Sequence, residues 1–414
     1  MAYWPFFLVP LIPAATTIFL SLLANYLVRR AKWLESMRIL RALTTHGRED
    51  TWARAWYGLR ERGCWGGFLR LIRGIAGFIS GLAGVTVVVL LLVDMCITAY
   101  DGTTPLPSPS SKMVTVSPPS SPSSVKVHLA CVEPGNATEN IGRFPYRRHD
   151  LPTILYEAPS GVPGSLAILN PAVSLNNDDI PGRWIFEMQE KGEVGRVCIW
   201  DRPGYGFSEV LPRADLGDVV DALWLALEQA EVTKNIKFVL VGEGYGGLLT
   251  RVFASRHPSS IHSYLHLEAQ TSLTYFSPPR GDFAGPKLLL HRLSTRVLPS
   301  ILTPLSITRL PSLLLRRSTS ISRILASTYT QTSQLNGNLR KALLQETFSS
   351  HTHQSASFAA LLHSADSYPI RPAVVLSSAE RMKDLKWAEG QEALAREGQG
   401  KGICKEALRT LYAS

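Results

Sequence analysis

Between Phe6 and Val28 the chain carries no charged residue, and between Gly74 and Tyr100 it carries one, Asp94. A bilayer-crossing helix needs roughly 20 apolar residues, and both stretches reach that length. The first lacks the basic leader of a secretory signal and exceeds a usual signal core, so it reads as a retained anchor. The second is too long and too bare of charge for an ordinary core helix. Cysteine is also scarce. The five residues (64, 96, 131, 198, 404) include no Cys-x-x-Cys spacing, which removes a zinc ribbon. Cys131 and Cys198 sit in apolar, strand-like runs and read most simply as buried thiols, with a disulfide left open on an oxidising side. No G-x-x-x-x-G-K-[ST] phrase occurs, so a P-loop is excluded. "HTH" at His351 to His353 offers two ligands and no third, and no metal site is expected.

What is present is a basic stretch between the two apolar runs. Residues 29–73 hold eleven Lys or Arg against four acids, most of the net +10 of the 414-residue chain. A short basic loop between two spans marks the cytoplasmic or matrix side. The expected layout is therefore a transmembrane hairpin over residues 1–100, with spans near 6–28 and 74–99. The rest of the chain then lies on the non-cytoplasmic side of a mitochondrial or endomembrane compartment. A loop held between two spans is a poor nucleic-acid arm, so no nucleic-acid partner is expected. The sequon Asn136-Ala137-Thr138 agrees with that side but recurs too easily by chance to weigh much.

Residues 101–124 contain six prolines and eight serines, a composition that reads as an extended tether. From Val125 onward short apolar runs alternate with helical patterns. The runs 125–132, 153–159, 196–201, 237–242, 263–269 and 372–378 read as strands. The segments 181–192, 216–232 and 245–258 read as helices, the second with apolar residues at Val219, Leu223, Leu227 and Ala230. The expectation is an α/β fold over 125–414 with a mainly parallel sheet flanked by helices. Residues 276–353 interrupt the rhythm and read as a helical cap. Between Arg280 and Arg323 the cap has eight Lys or Arg against one acid, Asp282. It reads either as a solvated basic face or as a surface for anionic headgroups.

Two phrases carry a resemblance. "WDRPGYGFSE", Trp200 to Glu209, and "FVLVGEGYGGLLTRVFASRHP", Phe238 to Pro258, resemble the α/β-hydrolase fold superfamily, over about Val125 to Ala388. The likeness is to membrane-anchored, hydrolase-like proteins of fungi with a degenerate nucleophile elbow. In that family a G-x-S-x-G elbow exposes a serine on a strained strand-to-helix turn. Here the five positions read Gly242, Glu243, Gly244, Tyr245, Gly246. The nucleophile slot is Gly244, and moving the register to Glu243 would put Val241 and Tyr245 where small residues are required. Glycine adopts the strained turn freely but brings no attacking atom.

The resemblance implies oxyanion donors at the backbone of Tyr245 and, after the third strand, of Ser160, where Pro159 replaces the family's glycine. It implies a triad acid after the run 372–378, at Asp384 or Glu380. It also implies a later histidine, yet none follows His363. His257, His262 and His266 read as surface or core residues. The C-terminal end reads as incomplete or as lacking the last strand. Gly242, Gly244 and Gly247 also satisfy G-x-G-x-x-G, with Glu268 at a ribose-contact offset, but a hydrolase elbow that gained a glycine gives the same pattern. No cofactor is expected. The readings are a catalytically inactive, membrane-anchored domain binding a lipid or another apolar ligand or a protein partner, an active esterase or lipase obscured by a sequence error, or a structural membrane protein.

Overall fold

A computed structural model describes residues 26, 30, 33, 36–37, 64–119, 123–134, 151–169, 180–212, 215–234, 236–275, 290, 293–305, 319–328, 335–349 and 369–397. All of the first apolar run except Tyr26, the sequon, the "HTH" phrase, His363 and the segment 398–414 lie outside these. The chain divides into two compact units, Met1–Ile97 with Pro304–Ser306, and Thr98–Thr303 with Ile307–Ser414.

Helix α1, Cys64–Asp101, contains the second apolar run. Its stretch Gly81–Asp101 is 21 residues long and apolar enough to cross a membrane. Phe78, Leu82, Val85, Val88, Val89 and Leu92 are each at least half exposed, so this is not the core helix of a soluble domain. The Thr86 hydroxyl donates to the Leu82 carbonyl at 2.8 Å, which satisfies it inside the helix. Among the described residues α1 is the one such helix, and the expected two-span hairpin rests on a first run that lies outside them.

The second unit is built on a seven-stranded sheet. Its strands are β1 (Ser111–Val116), β2 (Val125–Val132), β3 (Thr153–Glu157), β4 (Val197–Trp200), β5 (Phe238–Glu243), β6 (Ile261–Leu267) and β7 (Ala373–Leu376). They lie in the order β1-β2-β4-β3-β5-β6-β7. β1 pairs antiparallel with β2, β2 antiparallel with β4, and the remaining neighbours are parallel. The expected mainly parallel α/β sheet is thus present. The tether expectation for 101–124 needs correcting, because β1 lies inside it. Val114 and Val116 are buried while Met113 and Thr115 face outward, an alternation that the surrounding prolines and serines mask in sequence.

The helices are α2 (Arg183–Glu190), α3 (Leu216–Gln229), α4 (Gly246–Arg256), the single turn α5 (Ser272–Tyr275), α6 (Leu298–Leu302), α7 (Ser320–Ile324), α8 (Gly337–Ser349) and α9 (Leu385–Glu397). The sheet is covered on both faces, which explains why β3 and β4 are buried at every position. Leu155, Cys198, Trp200 and Leu240 pack with α3 and α4 on one face. Ile154, Tyr156, Ile199 and Val241 pack with α2 on the other. α3 starts where Asp215 accepts the Asp218 N–H at 2.9 Å, and it buries Leu216, Val219, Val220, Leu223 and Leu227.

Cys131 and Cys198 stand directly opposite each other in β2 and β4 and form a disulfide. The expectation of two buried thiols gives way to this bridge. Sequence placed both residues in strands, but only the register puts them face to face.

Candidate functional site at the elbow

The turn after β5 has the shape its glycines imply. Glu243 still belongs to the strand, paired with Leu267 of β6. Gly244 takes φ +54°, and Tyr245 leads into α4. The Gly244 N–H donates to the Leu267 carbonyl at 3.0 Å, and its carbonyl accepts from Gln270 N–H at 2.8 Å. A Cβ on Gly246 would stand 2.2 Å from the Glu157 carbonyl oxygen, so that position admits no side chain. At Gly244 the left-handed backbone is itself the glycine requirement. A Cβ there would stand 3.1 Å from the Cβ of Pro159. Gly244 is thus the residue of this turn with left-handed backbone, and Pro159 of the loop after β3 lies beside it.

That loop, Pro159–Gly161, is tied down on several sides. Arg202, 4% exposed, donates from Nη2 to the Pro159 carbonyl at 2.8 Å. The Ser160 hydroxyl donates to Glu346 Oε2 at 2.6 Å. The Gly161 N–H donates to the Tyr205 hydroxyl at 3.1 Å, and Thr328 N–H donates to the Gly161 carbonyl at 3.0 Å. The side chain of Ser160, whose backbone N–H was the expected donor, is thus held by Glu346.

Glu346, on α8, gathers this network. Besides Ser160 it accepts the Tyr205 hydroxyl at 2.6 Å, and its backbone carbonyl accepts the Tyr275 hydroxyl at 2.7 Å. Arg202 Nη2 lies 3.8 Å from Glu346 Oε1. The guanidinium also stacks over Tyr205 and Tyr245, at 4.4 and 5.0 Å from the ring centroids. The buried guanidinium thus lies between two aromatic faces and a carboxylate, an arrangement that offsets part of the cost of burying its charge.

Two more carboxylates flank the turn. Glu157 Oε1 accepts from Trp200 Nε1 at 2.7 Å, while Oε2 is buried without a hydrogen-bond partner among the described residues. Burial pushes the Glu157 carboxyl up to about 7, with Arg202 and the Trp200 bond opposing. Glu243 Oε2 accepts the Tyr156 hydroxyl at 2.7 Å, and burial holds its carboxyl above the ordinary value against that bond. Of these residues sequence reading singled out Gly244, Tyr245 and Ser160. It missed Arg202 and Tyr205, although both sit in the "DRPGYG" phrase, and it had no signal for Glu346.

The same phrase has a structural role. Asp201 Oδ1 accepts from Ser165 N and Oγ, both at 2.8 Å, and Oδ2 accepts from Phe207 N at 3.1 Å. His128 Nδ1 also lies 3.1 Å from Oδ2. Asp201 pins the turn that delivers Arg202 and Tyr205 to the elbow.

The two residues expected as a triad acid both follow β7. Asp384 caps α9, accepting the Lys386 N–H at 2.9 Å, and Glu380 is exposed beside a short helical turn. The carboxylate held between the ends of β6 and β7 is Glu268, which accepts from the Ser377 hydroxyl and the Ser378 N–H. Those bonds also use the carboxylate that a dinucleotide reading would assign to a ribose. His257 stacks on Trp224 at 3.7 Å, His262 is exposed, and His266 is buried in β6 with its pKa lowered to about 3 by burial and Arg251. The arrangement offers a positively curved turn, buried acids and a buried arginine, with no attacking atom in the slot.

No protein-family profile matches the chain. It is 30% identical over 204 residues to an uncharacterized protein of Schizosaccharomyces pombe, a match covering 49% of this chain and 35% of that protein. It is 34% identical over 87 residues to an uncharacterized vacuolar membrane protein of Saccharomyces cerevisiae, over 21% of this chain and 13% of that protein. The matches span about a third or less of these relatives' own length. Among solved structures, a thermophilic esterase from Thermogutta terrifontis is similar at 17% identity and a TM-score of 0.40, over 69% of this chain and 86% of that chain.

Proposed function

We propose that this chain carries an α/β-hydrolase-like domain, attached to a membrane, that has given up covalent catalysis and acts by binding. The supporting observation is the pair Gly244 and Pro159. Gly244 keeps the elbow's positive φ without a nucleophile, and Pro159 occupies the space a side chain there would enter. A hydrolase of this type needs a nucleophile, an adjacent base and two backbone donors aimed at one point. Here the slot is empty of an attacking atom. The loop after β3 is tied to Glu346 through the Ser160 hydroxyl and to Arg202 through the Pro159 carbonyl. The ligand proposed is a membrane lipid or another apolar molecule. α1 supports the membrane attachment, and the vacuolar membrane name of one relative agrees with it. The Cys131–Cys198 bridge supports a domain on the oxidising, non-cytoplasmic side.

The test is reaction of the full chain, in detergent, with a fluorophosphonate probe beside an active serine esterase. Absence of labelling on this chain while the control labels fully is the expected result. Covalent labelling at any serine overturns the proposal and supports an active esterase. Labelling also requires a base that the present reading does not supply.

A further inference from the structure

The last residue of α1 is an acid, Asp101, and no base stands in the helix's final turn. A carboxylate there meets the negative end of the helix dipole, so a cation from elsewhere is favourable. Arg323, on α7, supplies it. Its Nε donates to Asp101 Oδ2 at 3.1 Å and its Nη2 to Oδ1. Nη2 also donates to the Ser320 hydroxyl at 3.0 Å. The two side chains are only 8% and 2% exposed, for Asp101 and Arg323. Removing one member of such a pair strands a buried charge, so the pair holds the end of α1 and α7 together. The stretch apolar enough to cross a membrane, Gly81–Asp101, ends on this same aspartate. No spacer separates the span from the pair, and Thr98–Asp101 already belong to the second unit.

From Arg323 a buried run leads to the loop beside Gly244. Ile324, Leu325, Ala326 and Ser327 are all buried. Ile324 and Leu325 pack with Tyr156 and Val241 of the sheet, and Ala326 packs with Tyr205. The next residue, Thr328, donates its N–H to the Gly161 carbonyl at 3.0 Å. A Cβ on Gly161 would stand 2.4 Å from the Thr328 side chain, so the two segments are in close contact. Close-packed residues pass a displacement to their neighbours rather than absorb it. We propose that the Asp101–Arg323 pair makes the loop after β3, and with it access to the Gly244 turn, responsive to the bilayer that α1 crosses. A helix whose apolar length is mismatched to its bilayer tilts or shifts. The pair hands that shift to α7, and Thr328 hands it to Gly161. This rests on the membrane attachment proposed above and is independent of whether the turn has lost catalysis.

The experiment is hydrogen–deuterium exchange on the full chain in nanodiscs of dilauroyl- and of dioleoyl-phosphatidylcholine, a thinner and a thicker bilayer. The amides of Gly161 and Thr328 are read, with residues 238–256 of β5 and α4 as the reference. In the parent, exchange at both amides is expected to differ several-fold between the two bilayers while the reference stays constant. Asp101→Asn is expected to speed exchange at both amides and to erase the difference. Asp101→Glu, which keeps the charge, is expected to retain it. Equal exchange in the two bilayers for the parent overturns the proposal. So does an Asp101→Asn variant that loosens residues 98–101 and 319–324 but leaves Gly161 and Thr328 unmoved, or that preserves their difference between bilayers. If Asp101→Asn loosens the reference as well, the whole domain has opened, and the parent's comparison of the two bilayers decides alone. Rapid exchange along residues 81–97 in both bilayers shows that α1 is outside the membrane, and the proposal falls with that reading.

Discussion

Pro159 stands 3.1 Å from the point that a Cβ on Gly244 would occupy. The two residues belong to different loops, one after β3 and one after β5, and each makes sense of the other. With glycine in the slot, the neighbouring loop can carry a rigid ring over it. With proline in the loop, a serine in the slot would meet both a left-handed backbone and a crowded Cβ. Gly244→Ser is therefore expected to cost about 1–3 kcal/mol in stability and to gain no fluorophosphonate labelling. Pro159→Gly in the same chain should recover part of that cost. A double-mutant cycle measured by thermal unfolding checks the coupling. Strict additivity would show that the two residues do not constrain each other.

Glu346 is the carboxylate that joins the cap helix to the loop over the elbow. Glu346→Ala would leave Ser160 Oγ, the Tyr205 hydroxyl and the buried Arg202 without their shared acceptor. Breaking a buried ionic arrangement at one partner costs about 3–5 kcal/mol. Glu346→Gln keeps an acceptor and should cost less, about 1–3 kcal/mol. Chemical denaturation of the full chain in detergent separates the two. A loss under about 1 kcal/mol for the alanine variant would mean the network is incidental.

Glu157 gives a pH signature with a definite sign. Its folded pKa is raised from the ordinary carboxylate value to about 7. The folded state therefore holds a proton that the unfolded state releases above about pH 4.5. Its contribution is fully present below that pH and is lost as pH rises towards 7, on the order of 3 kcal/mol. His266 and His257 work the other way. Their pKa values are lowered to about 3 and about 4, chiefly by burial, so they withdraw stability as pH falls below the ordinary histidine value. The informative quantity is the difference between the parent and Glu157→Gln. That difference should grow in the variant's favour from pH 4.5 to 7. A flat difference across that range would contradict the assignment.

The disulfide closes a sequence separation of 67 residues. Chain-entropy arguments assign such a loop about 4 kcal/mol. Cys131→Ser with Cys198→Ser should lower the unfolding free energy by that order. In the parent, thiol alkylation before and after reduction should differ by two sites. Equal alkylation under both conditions would show that the bridge does not form.

Six of the seven strands and the helices α2, α3 and α4 were legible because each pattern is local. β5 is a run of apolar residues ending in glycines, and α3 repeats its apolar face every three or four positions. The strand-to-helix turn at Gly244 was legible for the same reason, since three glycines at fixed spacing need no tertiary context. β1 was not legible, because six residues of alternation sit inside a proline- and serine-rich stretch. Glu346 was invisible, because its partners lie 186 and 141 residues away and nothing beside it in sequence announces them. Asp384 and Glu380 were chosen by position in a family pattern, and the structure gives Asp384 a helix to cap instead. The cysteine pair was seen as two separate residues, because a bridge depends on register, which is a property of two strands together.

The loop closed by that bridge holds more than two strands' ends. Between Cys131 and Cys198 lie Tyr156, Glu157 and the Pro159–Gly161 loop that covers the elbow. A copy of the chain stranded in a reducing cytosol would have to hold this whole segment in place without its clasp. Such a copy would open more often at the elbow than anywhere the sheet alone suffices, and proteases would find it there first. Reducing that one bond is therefore expected to speed proteolysis between residues 131 and 198 before it does so elsewhere in the sheet.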